Sequence, residues 1–198
     1  MKLRCCCLAA AIVLASGCGK EERREAVGFY KVLADKRAGF AASNGLEKDF
    51  AGSVRSWCES IVANGAGKGD QLTQNATVAR DLARSAESLS AQVGLVRQAV
   101  YDQPLHQEFP QSVKSTLITE LTRRQRFLQE LRATLDDSAT GFEALAQSRD
   151  YKGDSYPNAL GKLTTVMQSY HAPGDSVSDA ETALAAKYSI KDADLGTT

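Results

Sequence analysis

The sequence has no surplus of either charge: 24 basic side chains stand against 24 acidic ones in 198 residues. A phosphate-binding surface normally needs a basic excess or a concentrated basic face, so the balance gives no reason to expect a nucleic-acid partner. Histidine is scarce, with His106 and His171 the only two. There is no helical histidine pair bracketing a glutamate, no cysteine cluster for a metal, no serine-nucleophile motif and no paired-cysteine haem attachment signal. The residues therefore announce no catalytic chemistry, and neither a cofactor nor a metal is expected. Sustained alternation of polar and apolar residues at period two is also missing, which disfavours a sheet. Apolar residues make up 43% of the chain, enough to build a core for one domain of ordinary size, and the length excludes a short disulfide-knot peptide.

The front of the chain is more informative. Lys2 and Arg4 precede an apolar run from Cys5 to Ala15 that ends in small residues. This is the layout of a secretory signal peptide, and the run is shorter than the roughly 20 residues that span a bilayer. The segment Leu14-Ala15-Ser16-Gly17-Cys18 resembles the lipobox of bacterial lipoproteins. It departs from the family's pattern in one respect: Ala15 stands where the family prefers leucine, and Leu14 lies one place earlier. The resemblance covers the leader alone. It implies that residues 1–17 are removed, that Cys18 becomes the acylated first residue of a linker over 18–20, and that membrane lipid is a partner through Cys18. Gly19, in place of aspartate, is what the family implies for outer-membrane delivery in a Gram-negative cell. More than one acyl chain gives stable anchoring where a single chain binds reversibly.

Removing the leader leaves 22 basic and 24 acidic residues, a formal charge of minus two, and takes away Cys5, Cys6 and Cys7. Cys58 is then the only unmodified cysteine, so no internal disulfide can form. Its place beside Trp57 in an apolar helical pattern predicts a buried structural thiol.

The mature chain reads as helix nearly throughout. Val27, Tyr30, Leu33, Ala34, Ala38 and Ala41 recur at steps of three and four over 21–43, and Ser43-Asn44-Gly45 marks a break or kink. Leu46, Phe50, Val54, Trp57, Cys58, Ile61 and Val62 form a second stripe, followed by the glycine-rich linker 64–70. That linker lacks the full phosphate-loop spacing and a preceding strand, so it reads as a turn between helices. From 71 to 100, Leu72, Ala79, Ala86, Val93 and Val100 repeat every seven residues, with Leu82, Leu89 and Val96 on the adjoining seam. Arg80, Arg84 and Arg97 are placed on the exposed side. A turn containing Pro104 and Pro110 leads to a helix over 112–147, where Arg124 falls near the apolar stripe. It either pairs with a carboxylate or covers the seam with its stem. A polar loop over 148–157, a helix over 158–171, a break at 172–175 and a short helix to 188 complete the pattern. The predicted architecture is all-α: an elongated antiparallel four-helix bundle over 21–188 with interrupted first and last helices, and a loosely docked tail over 189–198.

Three functional readings follow. The favoured one is a noncatalytic envelope lipoprotein, an accessory or protein-interaction module whose partner is an envelope protein or surface polymer. The alternatives are a helical bundle that binds a ligand in an apolar cavity, and an enzyme without a recognisable motif. The candidate partner-binding residues are Tyr101, His106 and Phe109, where aromatic surface meets a proline-restricted turn beside Asp102 and Glu108. The alternative role for Leu105 and Phe109 is to cap the end of the core. Met167 and His171, four apart, and the adjacent Asp136 and Asp137 are read as ordinary helical residues.

Overall fold

A computed structural model describes residues 5–147, 155–191 and 194; of residues 5–18, 155–157 and 159 it describes the backbone alone. Residues 1–4 of the expected signal peptide, 148–154 of the expected loop, and 192, 193 and 195–198 of the expected tail lie outside the described residues. The fold is an all-α helical bundle with five helices: α1 (Cys5–Asn64), α2 (Asp70–Tyr101), α3 (Glu108–Gln147), α4 (Ser155–Gln168) and α5 (Ser176–Tyr188). No strand occurs among the described residues.

The expected break at 43–45 is absent, and α1 runs unbroken through it. Its core face repeats every seven residues at Ala26, Leu33, Phe40, Glu47, Val54 and Ile61, all nearly inaccessible to solvent. This phase differs from the expected one. Val27 and Tyr30 are only half-buried, while Ala38, Ala41, Leu46 and Val62 are exposed. The cause is Glu47: an apolar stripe traced around a carboxylate slips to its neighbours, and one residue on a helix is a rotation of about 100°. Gly45 faces solvent, and Ser43 and Asn44 turn inward, where the Asn44 amide donates to the Gly174 carbonyl at 3.3 Å. Burial of Phe40, Glu47 and Phe50 on either side holds the helical turn that Gly45 weakens by about 1 kcal/mol.

The linker behaves as expected. Gly65, Gly67 and Gly69 have φ of 75°, 82° and 54°, a conformation open to glycine at little steric cost. The seven-residue seam of α2 is buried at all five expected positions. Its second seam is shared between Leu89 and the smaller Ala76, Ala83 and Ser90, while Leu82 and Val96 are half-buried. Arg80 and Arg97 are also half-buried rather than exposed. The turn after α2 ends earlier than expected, because Pro110 sits in the first turn of α3, where a missing N–H removes no intrahelical bond. The expected break at 172–175 separates α4 from α5, and α5 opens on Asp175, whose carboxylate accepts the Ser178 N–H at 3.3 Å.

The chain divides into two compact units. One gathers the residues up to Ala38, Gln98–Thr119 and those from Asp175; the other gathers Gly39–Arg97 and Glu120–Gly174. In the second unit α2 and α3 run in opposite directions, since Arg80 pairs with Glu143 at 3.0 Å and Glu87 with Arg132 at 3.8 Å. There α1 runs alongside α3 in the same direction, with Glu47 against Arg124 and Trp57 edge-on to Phe142 at 5.9 Å. In the first unit α1 opposes α5, joining Glu22 to Tyr188 and Arg37 to Glu181.

Candidate functional site

The turn between α2 and α3 is pinned at both of its ends. The Glu25 carboxylate of α1 accepts the backbone N–H groups of His106 and Gln107 at 2.9 and 3.0 Å, satisfying donors left open at the start of α3. Lys114 donates to the carbonyls of Tyr101 and Gln103, both at 2.6 Å, and so neutralises the carbonyl-rich end of α2. The same ammonium lies 5.5 Å from the Tyr101 ring centre. Tyr101 and His106 are exposed, the tyrosine by 63%. Phe109 is held differently: it is half-buried, packs edge-on against Tyr188 at 5.8 Å and carries Lys187 at 5.1 Å over its face. The three candidate residues therefore divide, two presented to solvent and one engaged with α5.

The neighbouring end of α1 completes this platform. Glu22 accepts the Tyr188 hydroxyl at 2.7 Å, and burial together with this bond raises the phenol above its ordinary range. Arg23 donates to the Tyr188 carbonyl at 3.2 Å and pairs with Asp194 at 2.9 Å. The Asp194 carboxyl is lowered first by the Lys191 N–H and then by Arg23. Cys18 lies on the backbone of α1 seven residues before Glu25, and its side chain lies outside the described residues.

A second candidate lies in the other unit. Residues of α1 and α4, with Tyr170 just beyond α4, enclose an apolar cleft of about 490 Å³. Cys58, Val62 and Ala63 form one wall and Thr164 and Met167 the other, with Arg55 and Glu59 also at its lining. Val62 is 75% exposed, which makes it the most open large apolar side chain among the described residues. Burial, reinforced by Glu59, pushes the Cys58 thiol up to about 11, so it is a neutral, soft wall rather than a nucleophile. The Tyr170 phenol is raised by burial and by Glu47, against the opposing pull of Arg124 and Arg55.

Arg124 resolves the open choice of the sequence in favour of a buried pair. It donates through Nε and Nη2 to one oxygen of Glu47 at 3.2 and 2.5 Å, with both side chains about 2% exposed. Its guanidinium also lies 4.7 Å from the Phe40 ring centre. Arg123 instead pairs with Glu120 on the surface, and Arg126 is exposed. Met167 is buried and His171 is exposed, so that pair forms no common site. Asp136 binds Arg80 at 3.3 Å, while Asp137 is exposed. Sequence reasoning missed the cleft, since no local signal joins Cys58 to Met167. It also missed Glu47, which the seven-residue spacing from Ala26 to Ile61 would have revealed.

Among the described residues no group of three or more His, Cys, Asp or Glu side chains is placed to hold a metal. Nor is any described helix long and apolar enough to cross a membrane. The chain matches no family model, no curated protein and no solved structure.

Proposed function

We propose that this protein is an exported lipoprotein, held to the membrane through acylated Cys18, that serves in the envelope as a noncatalytic interaction module. The observation that carries the reading is the order of residues at the front: a basic start, an apolar run and small residues ending at Cys18. If the organism is Gram-negative, Gly19 directs it to the outer membrane. The pinned turn supports an interaction role, because a surface already held by Glu25 and Lys114 loses little freedom on docking. The decisive experiment is intact-mass analysis of membrane-extracted wild type and Cys18→Ser. The wild type should start at Cys18 with added acyl mass, and the variant should lack that mass and leave the membrane fraction. A wild-type chain without acyl mass, or starting elsewhere, refutes the reading.

A second reading is favoured by the cleft at Cys58 and Met167: a helical bundle that carries a small apolar ligand. An environment-sensitive apolar dye should brighten on the wild type and lose that signal in Met167→Asp. Equal signals from wild type and a folded variant would exclude it.

A further inference from the structure

We infer that the turn bearing Tyr101 and His106 docks on the lipid surface that receives the acyl chains of Cys18. The inference rests on the lipoprotein reading and names the partner of the same turn: the headgroup layer of the anchoring membrane. In the sequence this turn lies far from the leader. The fold reverses that, because the Glu25 carboxylate holds the N–H groups of His106 and Gln107. Glu25 is seven residues beyond Cys18 on an unbroken helix, which places this contact about 10 Å along the helix from the anchor. Tilting α1 away from the membrane normal only reduces the rise that separates Glu25 from the anchor. A bilayer's polar layer is several ångströms deep on each side, so the turn stands at its edge.

The chemistry presented there suits that layer. Tyr101 combines an apolar ring with a polar hydroxyl, the form of side chain favoured at a membrane–water interface, and it is exposed by 63%. Lys114 beside its ring supplies a cation at the same level. Net charge is not the driving force, since Glu21, Glu22, Glu25, Asp102, Glu108 and Asp194 match the basic residues around the turn in number. The short tether supplies it instead: a surface held this close is present at high effective concentration, and a weak aromatic contact is enough. Protection of the turn should therefore persist at raised salt.

The test uses the full acylated chain in vesicles of phosphatidylethanolamine and phosphatidylglycerol. A nitroxide is attached in Tyr101→Cys, in His106→Cys, and in Ala38→Cys, whose exposed position lies about 20 Å farther along α1. Acylated Cys18 and buried Cys58 stay unlabelled. Collision with a water-soluble nickel complex should fall several-fold at 101 and 106 on vesicle binding and stay unchanged at 38. Equal accessibility at all three sites on an acylated, vesicle-bound chain overturns the docking inference alone. A chain without acyl groups overturns the lipoprotein reading with it. Protection in native membranes but not in pure lipid vesicles overturns lipid as the partner and assigns the turn to a membrane protein.

Discussion

Cutting Glu47 back to alanine leaves the Arg124 guanidinium inside the bundle with no counter-ion. Arg124 and Glu47 are both about 2% exposed, and each of the two hydrogen bonds between them ends on the same glutamate oxygen. The remaining nitrogen, Nη1, is buried and makes no hydrogen bond among the described residues. Removing one member of a buried pair typically costs about 3–5 kcal/mol, because the surviving charge keeps its desolvation penalty and loses its partner. For a chain of this length 1 kcal/mol moves Tm by about 2–4 °C, so Glu47→Ala should lower it by about 6–20 °C. Arg124→Ala should do the same and also remove the cation resting on Phe40. The double replacement Glu47→Leu with Arg124→Met has the opposite sign. An imperfectly satisfied pair exchanged for apolar side chains of similar volume should be neutral or stabilising by about 1–4 kcal/mol. Thermal and denaturant unfolding of all four proteins, closed as a double-mutant cycle, measures the coupling directly. If the double variant is less stable than both single ones, the pair is not the costly element described here. If Glu47→Ala unfolds like the wild type, the glutamate is not buried.

Four further outcomes are expected. Leu89→Asp should destabilise the bundle by several kcal/mol, while Gln92→Ala, on the exposed side of the same helix, should shift it by less than about 0.5 kcal/mol; matching unfolding midpoints would contradict the core face of α2. Cys58 should alkylate far more slowly in the folded protein than after denaturation at pH 8, since a thiol at about 11 is only about 0.1% thiolate there. The same raised thiol should cost stability as pH climbs from about 9 towards 11, because the fold favours the neutral form; a stability flat across that window, compared with Cys58→Ala, would contradict it. Glu181 is 3% exposed, its two oxygens accept no hydrogen bond among the described residues, and burial raises its carboxyl despite Arg37 at 3.6 Å. The fold thus favours the protonated form, and this contribution is lost as pH rises through the raised value. Glu181→Gln should accordingly raise Tm at pH 7 and lose that advantage in acid, and a lower Tm at pH 7 would refute the assignment.

Helical class was legible because periodicity is local. In α2 every member of the Leu72–Val100 seam is apolar, so a count by sevens finds the buried face without knowledge of its neighbours. In α1 the same count meets Glu47, and hydropathy alone rejects the position that the fold fills with a charged pair. Arg124 showed its ambiguity openly, but its partner lies 77 residues away and is chosen by how α1 and α3 pack. The prolines were informative only in part: Pro104 stays in the turn, whereas Pro110 is compatible with the first turn of α3. Tyr101 and His106 were legible as surface residues, while the engagement of Phe109 with Tyr188 depends on where α5 returns. The cleft required the same kind of knowledge, since Cys58 and Met167 meet only after folding.

The seven-residue repeat of α1 carries a hazard of its own, translational degeneracy. Phe40, Val54 and Ile61 would keep the seven-residue spacing of the α3 layers if α1 slid along α3 by one repeat, about 10 Å, with Phe40 carried to the layer of Arg124. Such a slip would bring Glu47 to the layer of Leu131 and leave Arg124 without a carboxylate. The pair therefore acts as an index mark that selects one register among several of similar hydrophobic content, much as a single polar residue does in a coiled coil. The Leu and Met double variant therefore loses a means of choosing, and its amide spectrum should show more than one set of resonances from α1.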